Sequence, residues 1–414
     1  MKKRVMSLLL VAAMAVSMFA ACGSSDNADA NNDAANTEVV STENNAEVEA
    51  DAEYAVAMIT DYGDITDQSF NQTTYEACKA FCEANGIDFK YFKPAADSTA
   101  DRVASVELAI DEGYNVIVMP GYAFGGTIAE ISGDYPEVKF IALDVAAGDL
   151  LETAVALAGE SYDYNPANWD LNKYVHMDNV YCAVYQEELS GYMAGYAAVK
   201  LGYEKLGFLG GMAVPAVVRF GYGFVQGADA AAAELGTTVE IKYAYGNQFY
   251  GDADITAAMD TWYGAGTEVV FACGGGIFTS AAEAAVKVGG KVIGVDTDQS
   301  ANINGAYGEG LTVTSAMKGL YPTTVDTLTD VIVNGNWANY AGQISTLGLV
   351  SGTDPELNYV QIPMATTQWS DTFTQDDYKA LVAAMFDGTI TVSNDISAMP
   401  AVTAVTVEDL GSLK

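Results

Sequence analysis

The feature of this sequence that most constrains its fold is an alternation of short apolar runs with segments of helical periodicity. It begins at residue 54 and continues to about residue 334. Runs such as 116–119 and 292–295 have the length and composition of buried strands, whereas 69–84 and 216–235 have helical spacing that ends near a glycine. This alternation predicts parallel sheets covered by helices on both faces. The predicted fold class is therefore α/β.

A polar stretch divides the alternation into two series. Residues 145–179 are rich in Tyr and Asn, and we predict an inserted loop or a short irregular segment there. The polar C-terminal part is predicted to hold strands near 342–347, 359–362 and 389–392 and a helix near 375–385. Two doubly wound units joined end to end place a ligand cleft at the carboxyl ends of their strands and allow closure about a hinge.

The two series of predicted elements suggest two lobes. Lobe 1 is expected to comprise residues 54–184 and about 297–340, and lobe 2 residues 185–296 and about 341–414. About 360 residues follow residue 53, which is enough for two domains with a sizeable core.

The first 22 residues have the layout of a secretory signal. Three basic residues precede an apolar run at 5–19, and Ala-Ala-Cys follows at 20–22. The run is shorter than the roughly 20 residues of a membrane-spanning helix. The ending resembles a bacterial lipobox, with Phe19 where such signals usually have Leu. This resemblance implies a signal peptide at 1–21 and a mature N-terminus at Cys22 that carries diacylglycerol and palmitate. The alternative is an ordinary signal peptide with an incidental cysteine.

Residues 22–53 are rich in Asn, Ala and acidic side chains and hold few large apolar residues. Such a segment is predicted to be a disordered tether between the anchor and a folded body. The whole chain has a formal net charge of -37, which becomes three charges more negative when the basic leader is removed. This acidity argues against nucleic acid or an anionic lipid surface as a partner. The expected location is the outer face of the cell membrane, after export, with a lipid anchor holding the protein.

The sequence gives no sign of a metal or cofactor site. Four cysteines remain beyond the leader, Cys78, Cys82, Cys182 and Cys273, and His176 is the only histidine. These cysteines are too few and too unevenly spread for a disulfide framework, so we interpret them as buried small apolar residues. No glycine-rich dinucleotide fingerprint with a ribose-binding acid and no Walker lysine is present, so we expect no nucleoside phosphate and no cofactor.

The loop after the first predicted strand carries candidate binding residues. Residues 60–72 read TDYGDITDQSFNQ and lead into a helix that either Asp67 or Ser69 caps. Phe70 and Asn71 offer a ring face and an amide, which together suit a flat polar ligand.

Three later loops add further candidates. The segment PGYAFGG at 120–126 joins aromatic side chains to glycines. The glycines at 274–276 either offer backbone N–H groups to a ligand or form a tight turn. Asp296 follows the predicted strand at 292–295, and Lys318 lies 22 residues further along the chain. A carboxylate and an ammonium in a cleft can bind polyhydroxyl compounds, and the alternative is a surface salt bridge.

Taken together, these motifs resemble a known family. The matching stretches are TDYGDITDQSFNQ (60–72), YQEELSGYMAGYAA (185–198), GFLGGMAVPAVVRFGYGFVQGA (207–228), VVFACGGG (269–276), VIGVDTDQ (292–299) and TSAMKGLY (314–321). In their order and joint occurrence, over about residues 54–365, they resemble the basic membrane protein family of bacterial lipoproteins. That family includes the purine nucleoside receptors of ABC importers. The resemblance implies a type I periplasmic-binding-protein fold, with two doubly wound lobes around a ligand cleft.

The resemblance also implies roles for individual residues, with a purine stacked between aromatic rings and a ribose held by charged groups. The implied ligand-binding residues are Asp61 near the ligand, Phe70 and Asn71 at the base, Phe249 as the opposing ring, Gly275 in the floor, and Asp296 with Lys318 at the ribose.

Two features depart from the family pattern. The family carries an acid where this chain has Gly126, and the insertion at 145–179 is longer than usual. A buried base edge without its acceptor would lose affinity. We therefore expect either that Tyr122, Asp144 or a residue of the insertion takes the place of that acid, or that the ligand differs from a standard purine nucleoside.

The expected function is capture of a small polar molecule, a purine nucleoside in the first place, and its delivery to an ABC permease. No enzymatic activity is expected. The alternatives are a binding protein for a sugar or a signalling molecule, a ligand sensor on the same fold, and a nucleoside hydrolase that uses paired acids such as Asp296 and Asp298.

Overall fold

The computed structural model describes residues 54–413, and the predicted signal peptide, the lipidation site Cys22 and the tether at 22–53 lie outside these residues. The first elements are β1 (Ala55–Ile59), α1 (Phe70–Asn85), β2 (Asp88–Phe92), α2 (Thr99–Asp111), β3 (Val116–Pro120), α3 (Phe124–Ile131), β4 (Lys139–Leu143), α4 (Ala147–Leu157), α5 (Leu171–Tyr174) and β5 (Val180–Tyr185). The next are α6 (Glu187–Lys200), β6 (Lys205–Gly210), α7 (Pro215–Leu235), β7 (Val239–Tyr245), α8 (Ala253–Gly264), β8 (Val269–Cys273), α9 (Phe278–Ala285), β9 (Lys291–Asp296), α10 (Ser300–Tyr307) and β10 (Thr312–Lys318). The last are α11 (Leu320–Leu328), β11 (Gln343–Leu347), β12 (Val360–Gln361), α12 (Gln375–Phe386) and β13 (Val405–Ser412).

The strands form two sheets. The first has the order β11-β5-β4-β3-β1-β2, and the second has the order β12-β10-β9-β8-β6-β7-β13. All pairings are parallel except that of β12 with β10. The prediction of an α/β fold with parallel sheets is therefore confirmed.

Local sequence explains why these elements form. The central strands β3 (VIVMP) and β8 (VVFAC) are buried at every residue, as expected for parallel strands with helices on both faces. Helix α1 ends at Gly86, which has a φ of 68°, and glycine adopts this left-handed conformation without strain from a side chain. Cys78, Cys82, Cys182 and Cys273 are buried and form no disulfide with one another, which confirms their interpretation as core residues.

The strand order sets the place of the ligand cleft. In the first sheet the order reverses between β1 and β3, and in the second it reverses between β6 and β8. At such a reversal the loops leave neighbouring strands in opposite directions and open a crevice beyond the carboxyl ends. A ligand site is therefore expected among the residues that follow these four strands.

The chain passes between the two sheets three times, and the three crossings are hydrogen-bonded to one another. The N–H of Gln186 donates to the carbonyl of Leu347 at 2.9 Å, and the N–H of Gly319 donates to that of Tyr359 at 2.7 Å. The N–H of Tyr359 in turn donates to the carbonyl of Gly348 at 3.0 Å. Adjacent crossings of this kind can bend together, so they provide a hinge between the sheets.

Two secondary-structure predictions were wrong. Residues 145–179 hold α4, α5 and a short 3-10 helix at Pro166–Asn168 in place of an irregular loop. No strand forms at 389–392. There Ile390 and Val392 pack against the core without strand pairing, so their apolar alternation reflects burial of side chains alone. The last strand is β13, which is mostly exposed at the sheet edge beside β7 and therefore lacks an apolar signal.

The strand pairing also differs from the predicted lobes at two places. Residues 297–340 were expected in lobe 1, but β10 pairs with β9 in the second sheet. Residues 341–414 were expected in lobe 2, but β11 pairs with β5 in the first sheet. Both strands lie next to a crossing. There the sheet that a strand joins depends on hydrogen bonds to a distant segment, which the local sequence does not indicate.

Candidate functional site

A cavity of about 400 Å³ lies at the carboxyl ends of the strands of both sheets. Its volume falls in the range of small-molecule sites. All eight residues that the sequence analysis named as ligand-binding line this cavity, namely Asp61, Phe70, Asn71, Tyr122, Phe249, Gly275, Asp296 and Lys318. The fold therefore brings together residues from six separate loops and strand ends, and their contact with a ligand stays a prediction.

The loop after β1 is held in shape by Asp61. Its Oδ1 accepts hydrogen bonds from the N–H groups of Tyr62 at 2.6 Å and Gly63 at 2.7 Å, and from Nδ2 of Asn71 at 3.1 Å. Burial raises the pKa of Asp61, and these hydrogen bonds oppose that rise. The Asn71 amide also donates to Asp67 and accepts from the N–H of Asp61. The hydrogen bonds of the Asn71 side chain are therefore made to the loop itself.

Asp67, and not Ser69, caps the helix that follows. The Asp67 carboxylate accepts from the N–H groups of Ser69 and Asn71, each at 2.9 Å, and from that of Gln72 at 3.0 Å. The Ser69 hydroxyl makes no bond to the helix. It donates to Oδ2 of Asp296 at 2.5 Å, across to the second sheet. Asp67 alone thus caps the first turn of α1, and the Ser69 hydroxyl is used for the contact with Asp296.

Lys318 lies at the centre of a ring of carboxylates. Its Nζ donates to Oδ2 of Asp144 and lies 3.6 Å from Oδ1 of Asp296 and 3.9 Å from Oε1 of Glu187. Only 4% of its side chain is exposed. Burial lowers the pKa of Lys318, but the three carboxylates outweigh this and hold the pKa above its usual value. Lys318 is therefore charged, and its Nζ lies 4.6 Å from the ring centre of Phe70.

The two nearest carboxylates of Lys318 stand on left-handed backbone. Asp144 follows β4 with a φ of 61°, and Asp296 ends β9 with a φ of 67°. Non-glycine residues adopt this conformation infrequently, although aspartate does so more readily than most. At both strand ends the backbone turns sharply and places the carboxylate beside the ammonium. Such local strain is concentrated at functional sites.

Arg219 and Glu187 support this ring and were missed by the sequence analysis. Nε of Arg219 donates to Oε2 of Glu187 at 2.6 Å. Helices α6 and α7 approach closely enough for this pair because Gly223 has no side chain. A Cβ there would overlap the carbonyl oxygen of Glu188. Burial raises the pKa of Glu187, and Arg219 is the main opposing influence. Arg219 is the single arginine in the otherwise apolar stretch 214–225, and this was a signal that could have identified it.

Aromatic rings form another wall. The rings of Tyr62 and Phe249 lie 6.4 Å apart at an angle of 37°, and the hydroxyls of Tyr62 and Tyr122 lie 3.6 and 3.8 Å from Sδ of Met212. Gly275, with a φ of 52°, packs against Phe249, since a Cβ on it would lie 2.7 Å from the Phe249 carbonyl oxygen. The glycine turn therefore sets the position of the Phe249 ring. Tyr62 and Met212 were not predicted.

Gly126 does not line the cavity. It is buried in α3, where a Cβ would lie 2.8 Å from Oγ1 of Thr153 on α4. Tyr122 and Asp144 do line the cavity, and so does Asp149, which belongs to the insertion. Each of the predicted replacements for the missing acid, namely Tyr122, Asp144 and a residue of the insertion, therefore lines the cavity.

Within 54–413, no three or more His, Cys, Asp or Glu side chains cluster in a way that could hold a metal ion. In the same part of the chain, no helix has both the length and the apolar character needed to cross a membrane.

A comparison of folds agrees with this architecture. A solved ABC transporter solute-binding protein from Conexibacter woesei superimposes with a TM-score of 0.58 at 20% identity, covering 82% of this chain and 99% of that one. The likeness shows that the chain has the fold of the periplasmic solute-binding proteins of ABC transporters, which confirms the predicted fold.

Comparison of sequences identifies the family. The chain is 26% identical over 312 residues to the ABC transporter nucleoside-binding protein BmpA of Lactococcus lactis, covering 72% of this chain and 75% of that protein. It is 23% identical over 308 residues to an uncharacterized lipoprotein of Pyrococcus abyssi, covering 71% and 66%. A family profile described as ABC transporter substrate-binding protein PnrA-like matches residues 54–353, which is most of the chain. The protein therefore belongs to the Bmp family of PnrA-like ABC transporter substrate-binding proteins.

Proposed function

We propose that this substrate-binding protein captures a purine nucleoside in its cavity and delivers it to an ABC permease. The observation that carries the proposal is a buried acceptor beside Lys318. Oδ1 of Asp144 is buried and has no hydrogen-bond donor among the described residues, whereas Oδ2 accepts from Lys318. A buried acceptor of this kind normally has a partner, and a hydroxyl of a bound ligand supplies one.

The ring around Lys318 matches the vicinal hydroxyls of a ribose. The carboxylates of Asp144 and Asp296 can accept hydrogen bonds from hydroxyl groups of a ligand. The Lys318 ammonium can donate to the oxygens of those hydroxyl groups. Charged partners make these hydrogen bonds stronger than those between neutral groups. The same ring would accept other diols, so it supports a sugar moiety without naming the rest of the ligand.

The aromatic wall supports a base as the other half of the ligand. Phe70, Tyr62 and Phe249 all line the cavity, and a flat ring gains from stacking on such side chains. The name of the L. lactis relative describes that protein as nucleoside-binding. A nucleoside combines the two chemistries that the cavity offers.

The charges of the cavity disfavour a phosphorylated ligand. Six aspartates line it (Asp61, Asp64, Asp67, Asp144, Asp149 and Asp296) against three cations (Lys93, Arg219 and Lys318). A phosphate would meet an excess of like charge. We therefore propose a nucleoside and not a nucleotide.

The test is a ligand panel on the purified protein, with thermal unfolding and isothermal titration as the two measurements. Guanosine, inosine and adenosine should raise the Tm, by an amount equivalent to about 2.7 kcal/mol at 100 times Kd, while GMP, free bases, ribose and galactose should not. Stabilisation by a sugar alone would favour the alternative of a sugar-binding protein. Stabilisation by none of these compounds would count against the nucleoside proposal.

We further propose that Cys22 carries a lipid anchor on the outer face of the cell membrane. The name of the P. abyssi relative describes that protein as a lipoprotein, which supports the proposal. The test is metabolic labelling of producing cells with a palmitate analogue. The wild-type protein should be labelled and membrane-bound, and Cys22→Ala should lose the label and appear in the medium. Cys82→Ala, a buried cysteine of the core, is the control and should keep the label. A labelled Cys22→Ala protein would refute the assignment.

A further inference from the structure

Asp149 is a cavity residue that belongs neither to the ring around Lys318 nor to the aromatic wall. It lies in the first turn of α4, inside the segment 145–179, and it lines the cavity. One oxygen, Oδ2, accepts from the N–H of Ala146 at 2.7 Å. Among residues 54–413 this is the one hydrogen bond that the carboxylate makes. Its other oxygen is therefore available to a ligand.

Close packing of two helices fixes Asp149 in this position. A Cβ on Gly125 of α3 would lie 2.5 Å from the carbonyl carbon and oxygen of Asp149 and 2.7 Å from its Cβ. One turn further along α4, Thr153 packs in the same way against Gly126. The two glycines let α4 approach α3 without intervening side chains, so the backbone of Asp149 has little freedom to move away from the cavity.

The charged groups around Asp149 come from three elements. Asp144 after β4 and Glu152 on α4 oppose its ionisation, whereas Arg219 on α7 favours it. Burial is the largest influence, and together these effects raise the pKa of Asp149 to about 7. A carboxyl group whose pKa lies near 7 changes its ionisation readily when a hydrogen-bond donor approaches.

We propose that Asp149 determines base specificity by accepting hydrogen bonds from the N–H groups on the edge of the base. This inference rests on the nucleoside proposal above. An ionised carboxylate only accepts, so it favours guanine, which has an N–H beside an amino group on one edge. Hypoxanthine has the N–H alone. Adenine presents an acceptor beside its amino group, and a carboxylate is repelled by that acceptor. The resulting order of affinity is guanosine, inosine, adenosine.

A purely structural role for Asp149 predicts a different result. An acid in the first turn of a helix stabilises that helix, and its loss would weaken the protein for every ligand alike. The readout that separates the two roles is the ratio of guanosine affinity to adenosine affinity, because helix stability affects both affinities equally.

The test is isothermal titration of guanosine, inosine and adenosine into the wild-type protein, Asp149→Asn and Asp149→Ser. Asparagine keeps the shape but offers a donor beside an acceptor, which suits adenine. We expect Asp149→Asn to lose about 10- to 100-fold in guanosine affinity, as expected when hydrogen bonds to a charged acceptor are lost, and to keep or gain adenosine affinity. Asp149→Ser keeps a small polar group in the first turn and should lose the guanosine preference without gaining adenosine affinity. Glu130→Gln, exposed on the neighbouring helix α3, is the control and should bind as the wild type does.

Each outcome decides between the two proposals. If the wild-type protein binds no nucleoside, the proposed function fails and this inference fails with it. If the wild-type protein binds nucleosides but both Asp149 variants leave the ratio of guanosine to adenosine affinity unchanged, the proposed function stands and the role of Asp149 is refuted.

Discussion

The hydroxyl of Ser69 donates a 2.5 Å hydrogen bond to Oδ2 of Asp296, which joins the start of α1 to the end of β9. These residues are 227 positions apart. Ser69 lies in the loop after β1 of the first sheet, and Asp296 ends β9 of the second sheet. A second bond lies beside it, from Nε2 of Gln299 to the carbonyl of Gln68 at 3.0 Å. The two sheets are therefore held together directly across the cleft, as well as through the three crossings.

We expect Ser69→Ala to weaken ligand binding about tenfold. The lost hydrogen bond has a charged acceptor, and such bonds contribute about 1.5–3 kcal/mol, part of which a water molecule can replace in the open form. The measurement is Kd for the best nucleoside by titration. Thr374→Ala, which removes the cap of the remote helix α12, should cost about 1 kcal/mol of stability without changing Kd. Equal affinity of Ser69→Ala and the wild type would show that this bond does not favour the closed cleft.

Lys318→Met should lower the free energy of unfolding by about 3–5 kcal/mol, because it leaves Asp144, Asp296 and Glu187 buried without their shared cation. Ligand binding should fall below detection in the same variant. Denaturant unfolding measures the first effect. The control is Lys287→Met, whose side chain is 52% exposed beside Asp260 and whose loss should change stability by less than about 1 kcal/mol. Similar values for both variants would contradict the central role of Lys318.

Phe249→Leu should weaken nucleoside binding by about 5- to 100-fold and change stability little. Leucine keeps apolar contact with the glycine turn but removes the ring face, and stacking contributes about 1–3 kcal/mol per base. Phe386→Leu, on the surface of α12 with 49% exposure, is the matched control. If free ribose bound the wild type as tightly as a nucleoside does and Phe249→Leu left that binding intact, no base would be involved.

Gly125→Ala should separate α3 from α4. The added methyl group would lie 2.5 Å from the backbone of Asp149, and overpacking of this kind costs about 1–3 kcal/mol. We expect a lower Tm together with a smaller preference for guanosine, since Asp149 moves with its helix. Gly264→Ala at the end of α8, where a Cβ meets no neighbour within 4 Å, should leave stability unchanged or raise it. If Gly125→Ala left the guanosine preference unaltered, the position of Asp149 would not depend on the packing of these two helices.

The stability difference between Asp149→Asn and the wild type should depend on pH. Burial raises the pKa of Asp149 from 3.8 to about 7, so between these values the folded state binds more protons than the unfolded state. The contribution of Asp149 to stability therefore falls as pH rises from about 4 to about 7. Asparagine does not titrate, so the variant should gain about 1–3 kcal/mol relative to the wild type between pH 5 and pH 8, at 1.36 kcal/mol per pKa unit. Urea unfolding at the two pH values measures this, and a constant difference would mean that Asp149 is not desolvated.

Much of the fold could be predicted because strands and helices leave local periodic signals. Buried strands such as β3 and β8 are continuous apolar runs, and α1 ends at a glycine, so their existence needed no knowledge of distant residues. The strand β13 was missed for the opposite reason, since it is exposed at a sheet edge. The helix α4 has an apolar helical sequence of its own, AGDLLETAVAL, and was missed because it was grouped with the polar residues that follow it.

The candidate site divides in the same way. Asp296 and Lys318 end strands, and Phe70 opens a helix, so the topology of parallel sheets already places them at one edge. Glu187 and Asp149 carry no such local signal, and Arg219 is marked only as the single arginine of an apolar stretch. They reach the site because α6 packs on α7, and α3 on α4, through glycines whose role depends on the facing helix.

The sequence by itself determined the α/β class, the two series of parallel strands and the loops that surround the cavity, because backbone periodicity and strand ends are local properties. Only the tertiary structure decided that β10 and β11 exchange sheets at the crossings, that Lys318 is shared by three carboxylates, and that Asp149 faces the cavity. Each of these depends on contacts between residues far apart in the chain, and the free energy of burying charge is set by which neighbours the fold supplies.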